Sequence, residues 1–225
     1  MKRIYSVLIV EDHQINIDSY KRALDVVANE VPNTKFIIAE AKNCDEAFDK
    51  IKSQNKLKGF DLAVLDISLP SSQKYDILNG EVLGQKIKEK FPRCKVLVCT
   101  SYNDNYRLNN ILRSLNPEVF LIKLDIDFSD LIIAFKEIIN DGSYYSRTIL
   151  NLMRKKANSN FILDELDIQI LYEISNGARM KELKDLVPLS KTGIEKRKRK
   201  IRTYFNITDE NDRELVLTAK EKGFI

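Results

Sequence analysis

Over the first 145 residues, short apolar runs alternate with amphipathic stretches. Runs of strand length stand at 4–10, 36–41, 62–65, 96–99 and 119–122, and between them lie stretches of helical periodicity at 15–28, 45–52, 80–90, 106–115 and 130–140. Five repeats of strand then helix predict a doubly wound α/β domain, a five-stranded parallel sheet with helices on both faces. The runs ending in Val10, Leu65 and Cys99 are apolar without alternation, as strands buried on both faces should be. Residues 147–160 carry Arg154-Lys155-Lys156 and Asn158-Ser159-Asn160 and read as a polar linker. From Leu163 onward only helical periodicity is present, at 164–175, 180–186, 191–205 and 212–221. The expected organisation is therefore an α/β domain over 1–145, a linker over 146–160 and an all-α domain over 161–225.

Composition narrows the function classes. Hydrophobic residues make up 44% of the 225-residue chain and charged residues 31%, which favours packed domains over disorder. The apolar run after Met1-Lys2-Arg3 is cut off by Glu11-Asp12, too early for a membrane span or a signal peptide, so a cytoplasmic protein without a membrane partner is expected. Three cysteines (Cys44, Cys94, Cys99) without a CxxC spacing argue against a disulfide framework and a zinc site, and Cys94 and Cys99 read as packing residues. His13, the single histidine, reads as an N-cap or surface residue. The net charge of +4 is unevenly spread: residues 1–140 hold 20 basic and 20 acidic residues, whereas 178–204 hold ten basic and three acidic. A basic block confined to one part of a chain is the electrostatic footprint of a nucleic-acid binder.

Candidate chemistry gathers at the predicted strand ends. Strand one is followed by Glu11-Asp12, strand three by Asp66, strand four by Thr100-Ser101 and strand five by Lys123. In an open parallel α/β sheet, ligands bind outside these carboxyl ends. Three carboxylates at one edge repel each other unless a hard cation holds them, and Mg2+ suits such an oxygen-rich set. A hydroxyl and an ammonium beside them are what a phosphoryl group needs as donor and counter-charge.

The stretches Val7-Leu8-Ile9-Val10-Glu11-Asp12-His13, Leu65-Asp66-Ile67-Ser68-Leu69-Pro70, Thr100 and Phe120-Leu121-Ile122-Lys123 resemble the receiver domain of two-component response regulators. The resemblance implies a flavodoxin-like sheet of order 2-1-3-4-5 and phosphorylation of Asp66 by a sensor histidine kinase. It also implies Mg2+ held by Glu11, Asp12, Asp66 and the Ser68 backbone carbonyl, with Thr100 and Lys123 engaging the phosphoryl group. Thr100 and Phe120 would form the switch, Phe120 turning inward on activation. Two departures stand out. The glycine that usually follows the proline closely comes late, as Gly80, after an insertion over 71–79, and Asn116-Pro117-Glu118 replaces the usual Gly-Ala before strand five.

Residues 163–225 resemble the LuxR-type helix-turn-helix domain of the NarL/FixJ response regulators: Leu163-Asp164-Glu165-Leu166-Asp167-Ile168 opens the first helix, Gly177 makes a turn, Leu189-Ser190 precedes the recognition helix, and Gly223-Phe224-Ile225 closes the domain. Within that helix, Gly193, Ile194, Glu195 and Arg197 depart from the usual residues. At 100° per residue, Ile194, Ile201 and Phe205 form a narrow apolar stripe. The opposite face presents Thr192, Lys196, Arg199, Lys200 and Thr203 to double-stranded DNA. Glu195 reads either as an acceptor for a cytosine amino group or as compensation of the helix dipole, and Arg197 and Lys198 flank the stripe as snorkelling side chains. Leu215, Val216 and Ala219 read as core or as a dimer contact.

The expected function is a transcriptional regulator, not an enzyme beyond turnover of its own phosphoryl group, that binds DNA as a homodimer once phosphorylated. Two alternatives stay open: an Mg2+-dependent phosphatase working through an aspartyl-phosphate, and a DNA-binding regulator that is never phosphorylated. Such phosphatases often carry a second Asp two residues past the nucleophile, where Ser68 stands here.

Overall fold

The computed structural model describes residues 3–55, 59–157, 163–209 and 211–225. The chain divides into two compact units, one of residues 1–102 and 111–149 and one of residues 103–110 and 150–225.

The first unit is built on a parallel sheet. Its strands are β1 (Arg3–Val10), β2 (Thr34–Ala41), β3 (Leu62–Leu65), β4 (Lys95–Thr100), β5 (Val119–Ile122) and β6 (Tyr144–Tyr145), in the order 2-1-3-4-5-6. The expected order of the first five holds, and a sixth strand extends the sheet. Two residues are too few to carry a periodicity. β6 is held by backbone bonds from the Tyr144 and Ser146 N–H groups to the Glu118 and Phe120 carbonyls. Side chains reinforce it: the Tyr144 hydroxyl donates to Asp130 (2.6 Å) and the Ser146 hydroxyl accepts from the Ile122 N–H (3.1 Å). All four residues of β3 and of β5 are buried, the outcome of covering the sheet on both faces.

Helices α1 (Gln14–Glu30) and α5 (Phe128–Ile139) cover one face, packing Ile17, Leu24, Leu131 and Phe135 on Val7, Ile9, Val64, Leu97 and Leu121. The remaining helices are α2 (Cys44–Ser53), α3 (Gly80–Lys90) and α4 (Asn105–Leu115). Asn43 and Asn79 cap α2 and α3 by accepting from the N–H groups of Glu46 and Val82, and Asp127 opens α5 with a capping box. Asn116 stops α4 in the left-handed region (φ 42°), a conformation that asparagine tolerates where most residues do not.

The segment read as a polar linker is helical over Arg147–Ala157 (α6), with Ile149 and Leu152 buried. Residues 158–162, which include the end of that expected linker and the start of the expected second domain, lie outside the described residues.

The second unit carries α7 (Glu165–Ser175), α8 (Met180–Leu186), α9 (Lys191–Phe205) and α10 (Asp212–Glu221). Ile170, Leu183, Val187 and Ile194 join the first three, while Leu171, Ile201, Phe205, Leu215 and Ala219 join α7, α9 and α10. Leu215 and Ala219 are fully buried, so they belong to this core and not to a free dimer face.

Candidate functional site

Parallel pairing sets the site. Val10 is in register with Leu65, and Thr100 with Ile122, so the residues just past β1, β3 and β5 reach the same edge of the sheet. There the Lys123 ammonium lies 2.7 Å from Glu11 Oε2 and 2.7 Å from Asp66 Oδ2. Glu11 is fully buried and Asp66 nearly so. Two carboxylates in that setting need a counter-charge, because an unpaired buried charge costs several kcal/mol (~3–5). Burial works against the Lys123 charge, but hydrogen bonds to Asp66 and Glu11 outweigh it and hold the ammonium above the ordinary lysine range.

The second oxygen of each carboxylate is also occupied. Asp66 Oδ1 accepts from the Ser68 backbone N–H (2.8 Å), which curls the loop after β3 around the carboxylate. Glu11 Oε1 accepts from the Asn16 side-chain amide (2.9 Å) and from the His13 N–H (3.3 Å), and the Tyr20 hydroxyl donates to Oε2 at 3.5 Å. Thr100 is fully buried; its Oγ1 accepts from the Tyr102 N–H (3.3 Å) and lies 3.3 Å from Ser68 Oγ. Asp12 is the accessible carboxylate, its side chain 38% exposed. The ligand atoms of Glu11, Asp12 and His13 lie within 4.8 Å of one another. His13 takes the N-cap position of α1 without capping it; its ring meets Asp12 at 2.6 Å, and that contact raises its pKa.

The structure thus brings Glu11, Asp66, Lys123, Ser68 and Thr100 into one hydrogen-bonded set with Asp12 beside it. Phe120 is fully buried in β5. Three carboxylates against one ammonium leave an excess of negative charge. Glu11 and Asp12 come within 4.8 Å of each other together with the His13 ring, whereas Asp66 is linked to Glu11 through Lys123. The hard carboxylate oxygens suit Mg2+ better than a soft metal. Sequence reasoning missed Asn16 and Tyr20, which hold Glu11, and the Ser68 hydroxyl. Their positions on α1, five and nine residues after Glu11, place them on the helix face above it, but an Asn and a Tyr on an amphipathic helix carry no signal of their own. Burial pushes the Cys99 thiol up to about 11 and Cys94 up to about 12, in keeping with packing residues.

The insertion is folded against α2. Ser72 and Ile77 pair as an antiparallel bridge, the Ser72 hydroxyl donates to Asp45 and the Tyr75 hydroxyl to Asp49, and the Tyr75 ring meets Phe48 edge-on at 4.9 Å. Gly80 closes the loop where a Cβ would fall 2.1 Å from the Asp66 carbonyl oxygen. The late glycine is fixed by that close approach to the backbone of Asp66.

In the second unit, Ser190 caps α9 by accepting from the Gly193 N–H (3.2 Å). Thr192, Glu195, Lys196, Arg199, Lys200 and Thr203 are all exposed, and Ile194 and Ile201 are fully buried. Arg197 and Lys198 depart from the snorkelling expectation. Arg197 reaches Asp164 (2.6 Å) and the fully buried Asp167 (2.7 Å), and Lys198 reaches Asp212 (2.7 Å), which also meets Arg202 (2.6 Å). These cations tie α9 to α7 and α10. A wheel of α9 alone cannot show them, because their partners come from other helices. Among the described residues, no helix is long and apolar enough to cross a membrane.

The family of response regulator receiver domains matches residues 7–134. Along nearly the whole chain, similarity extends to the transcriptional regulatory protein ComA of Bacillus subtilis, 24% identical and covering 97% of this chain and 99% of that protein. The oxygen regulatory protein NreC of Staphylococcus epidermidis is 23% identical and covers 97% and 98%. Among solved structures, RcsB of Salmonella enterica serovar Typhimurium, bound to a promoter in the presence of the phosphomimetic BeF3-, aligns with a TM-score of 0.63 at 19% identity, covering 95% of this chain and 97% of that one. A structure of two RcsB dimers bound to two parallel DNAs aligns at 0.62 and 18%, covering 97% and 98%.

Proposed function

Because the chain belongs to the response regulators, by a receiver domain over residues 7–134, we propose that it is a transcriptional regulator whose binding to double-stranded DNA is controlled by phosphorylation of Asp66. The observation that carries this reading is the Lys123 ammonium seated between Asp66 and Glu11 at the carboxyl edge of the sheet. A carboxylate so placed is a nucleophile with its counter-charge already in position. The phosphoryl group comes from a sensor histidine kinase. Thr100 donates to one phosphoryl oxygen and Lys123 pairs with another. Glu11, Asp12, Asp66 and the Ser68 carbonyl would hold Mg2+, which supplies charge neutralisation for the incoming group.

The output is read through α9. Its exposed face carries Lys196, Arg199 and Lys200, with Thr192, Glu195 and Thr203, while Ile194, Ile201 and the ion pairs of Arg197 and Lys198 fix its other side. Such a helix suits the major groove, and a homodimer pairs two of them about one turn of DNA apart. Phosphorylation shifts the population toward a state in which Thr100 and Phe120 have rearranged and the dimer forms. DNA-bound and phosphomimetic-bound structures of RcsB, which has the same fold, and the regulatory roles in the names of ComA and NreC support this reading, as does the absence of a second carboxylate at Ser68 for phosphatase chemistry. The protein is expected to act in the cytoplasm.

A mobility shift on genomic DNA fragments, with and without acetyl phosphate and Mg2+, tests the proposal. Binding that tightens with the phosphodonor in the parent but not in Asp66→Asn is the expected result. Hydrolysis of small phosphoesters without DNA binding would favour the phosphatase instead.

A further inference from the structure

The Ser68 side chain has no part in the chemistry described so far, since its assigned role runs through its backbone carbonyl. Yet its hydroxyl lies 3.3 Å from Thr100 Oγ1, across 32 residues of sequence, in the loop whose own N–H holds Asp66 Oδ1 at 2.8 Å. Thr100 is fully buried, and one of its lone pairs already accepts from the Tyr102 N–H. A threonine hydroxyl has a single proton to give. Spent on Ser68, that proton cannot reach a phosphoryl oxygen; when Ser68 is the donor instead, its hydrogen bond still holds Thr100 Oγ1 against the loop.

We propose that Ser68 is a positioning residue that competes with the phosphoryl group for the Thr100 hydroxyl, so that the Ser68–Thr100 hydrogen bond opposes the switched arrangement. The inference rests on the assignment of Asp66 as phosphoacceptor and Thr100 as the phosphoryl donor partner. Ser68 is well suited to this because it moves with Asp66: one backbone turn carries the N–H that holds the carboxylate and the hydroxyl that holds the switch residue.

The test is a double-mutant cycle on the full chain, read by fluorine NMR as the affinity for beryllofluoride in the presence of Mg2+. A net hydrogen bond lost from the competing arrangement corresponds to about a five-fold gain in affinity. Ser68→Ala should show that gain in the parent background and lose it in a Thr100→Ala background. Thr100→Ser, which keeps the hydroxyl and loses only the methyl group, should restore the response to Ser68→Ala. An equal gain in both backgrounds, or weaker binding by Ser68→Ala, would overturn the competition while leaving the phosphoacceptor assignment intact. A parent chain that takes up no beryllofluoride would overturn that assignment, and the competition with it.

Discussion

Lys123 is the residue on which the site depends. Glu11 and Asp66 are buried at the same strand edge, and the ammonium between them is their common counter-charge. Replacing Lys123 by Ala leaves two buried carboxylates facing each other and should cost about 3 kcal/mol at neutral pH, measured by urea denaturation. The sign of the pH dependence follows. In the parent, the raised Lys123 pKa contributes stability that is fully present below the unfolded lysine value and fades as pH rises through the higher folded one. The variant lacks that ion pair, so its deficit should be full at pH 8 and shrink as pH rises through the folded Lys123 value, where the parent loses the ammonium charge. A deficit that does not shrink there would mean the carboxylates do not depend on Lys123. Acidic, hydroxyl and ammonium groups at the strand ends were legible in the sequence because suitable residues fall at four separate strand ends, where any one of them alone would read as a cap or turn former. The residues that hold them in place were not: Asn16, Tyr20 and the Ser68 hydroxyl act through hydrogen bonds across the fold, to which no spacing along the chain corresponds.

At the scale of elements, periodicity recovered what is long and amphipathic and lost what is short or masked by charge. The two residues of β6 are below any detectable period, and in α6 the run Arg154-Lys155-Lys156 hid the buried positions Ile149 and Leu152. Helix α9 shows the same limit in a charged setting. Of its cations, Arg197, Lys198 and Arg202 pair with acids of α7 and α10 and serve the unit's own cohesion. Arg197→Ala strands the fully buried Asp167 and should destabilise the second unit by about 2 kcal/mol, with a lower melting temperature as the readout. An unchanged melting temperature would contradict the tie between α9 and α7. Lys196 and Lys200 should differ from it and from each other. Lys200→Ala should weaken binding about equally on all sequences and lower the salt slope by about 1, as loss of a phosphate contact does. Lys196→Ala, nearer the helix N-terminus, should cost roughly 1–3 kcal/mol on a selected site and relax specificity there. Salt titrations on selected and random DNA separate the two; parent-like slopes and affinities in both variants would mean that this face of α9 is simply solvated.

For the whole molecule, the charge distribution matches the proposed division of labour. The α/β part is neutral and keeps its excess negative charge at one strand edge, while the basic excess lies around α9. Both halves of that division were readable from composition along the chain; the folded insertion over 71–79 was not, because its anchors, Asp45 and Asp49, lie on α2 and read as ordinary helix-surface acids. In the proposed function the receiver accepts a phosphoryl group at one defined carboxylate before DNA binding changes, and everything proposed downstream follows from that step. The decisive measurement is the intact mass of the full chain after incubation with acetyl phosphate, with and without Mg2+, for the parent and for Asp66→Asn. One acid-labile phosphoryl group should be added to the parent, dependent on Mg2+, and none to Asp66→Asn. Equal labelling of the Asn variant, or a parent that takes up no phosphoryl group at all, would contradict that expectation.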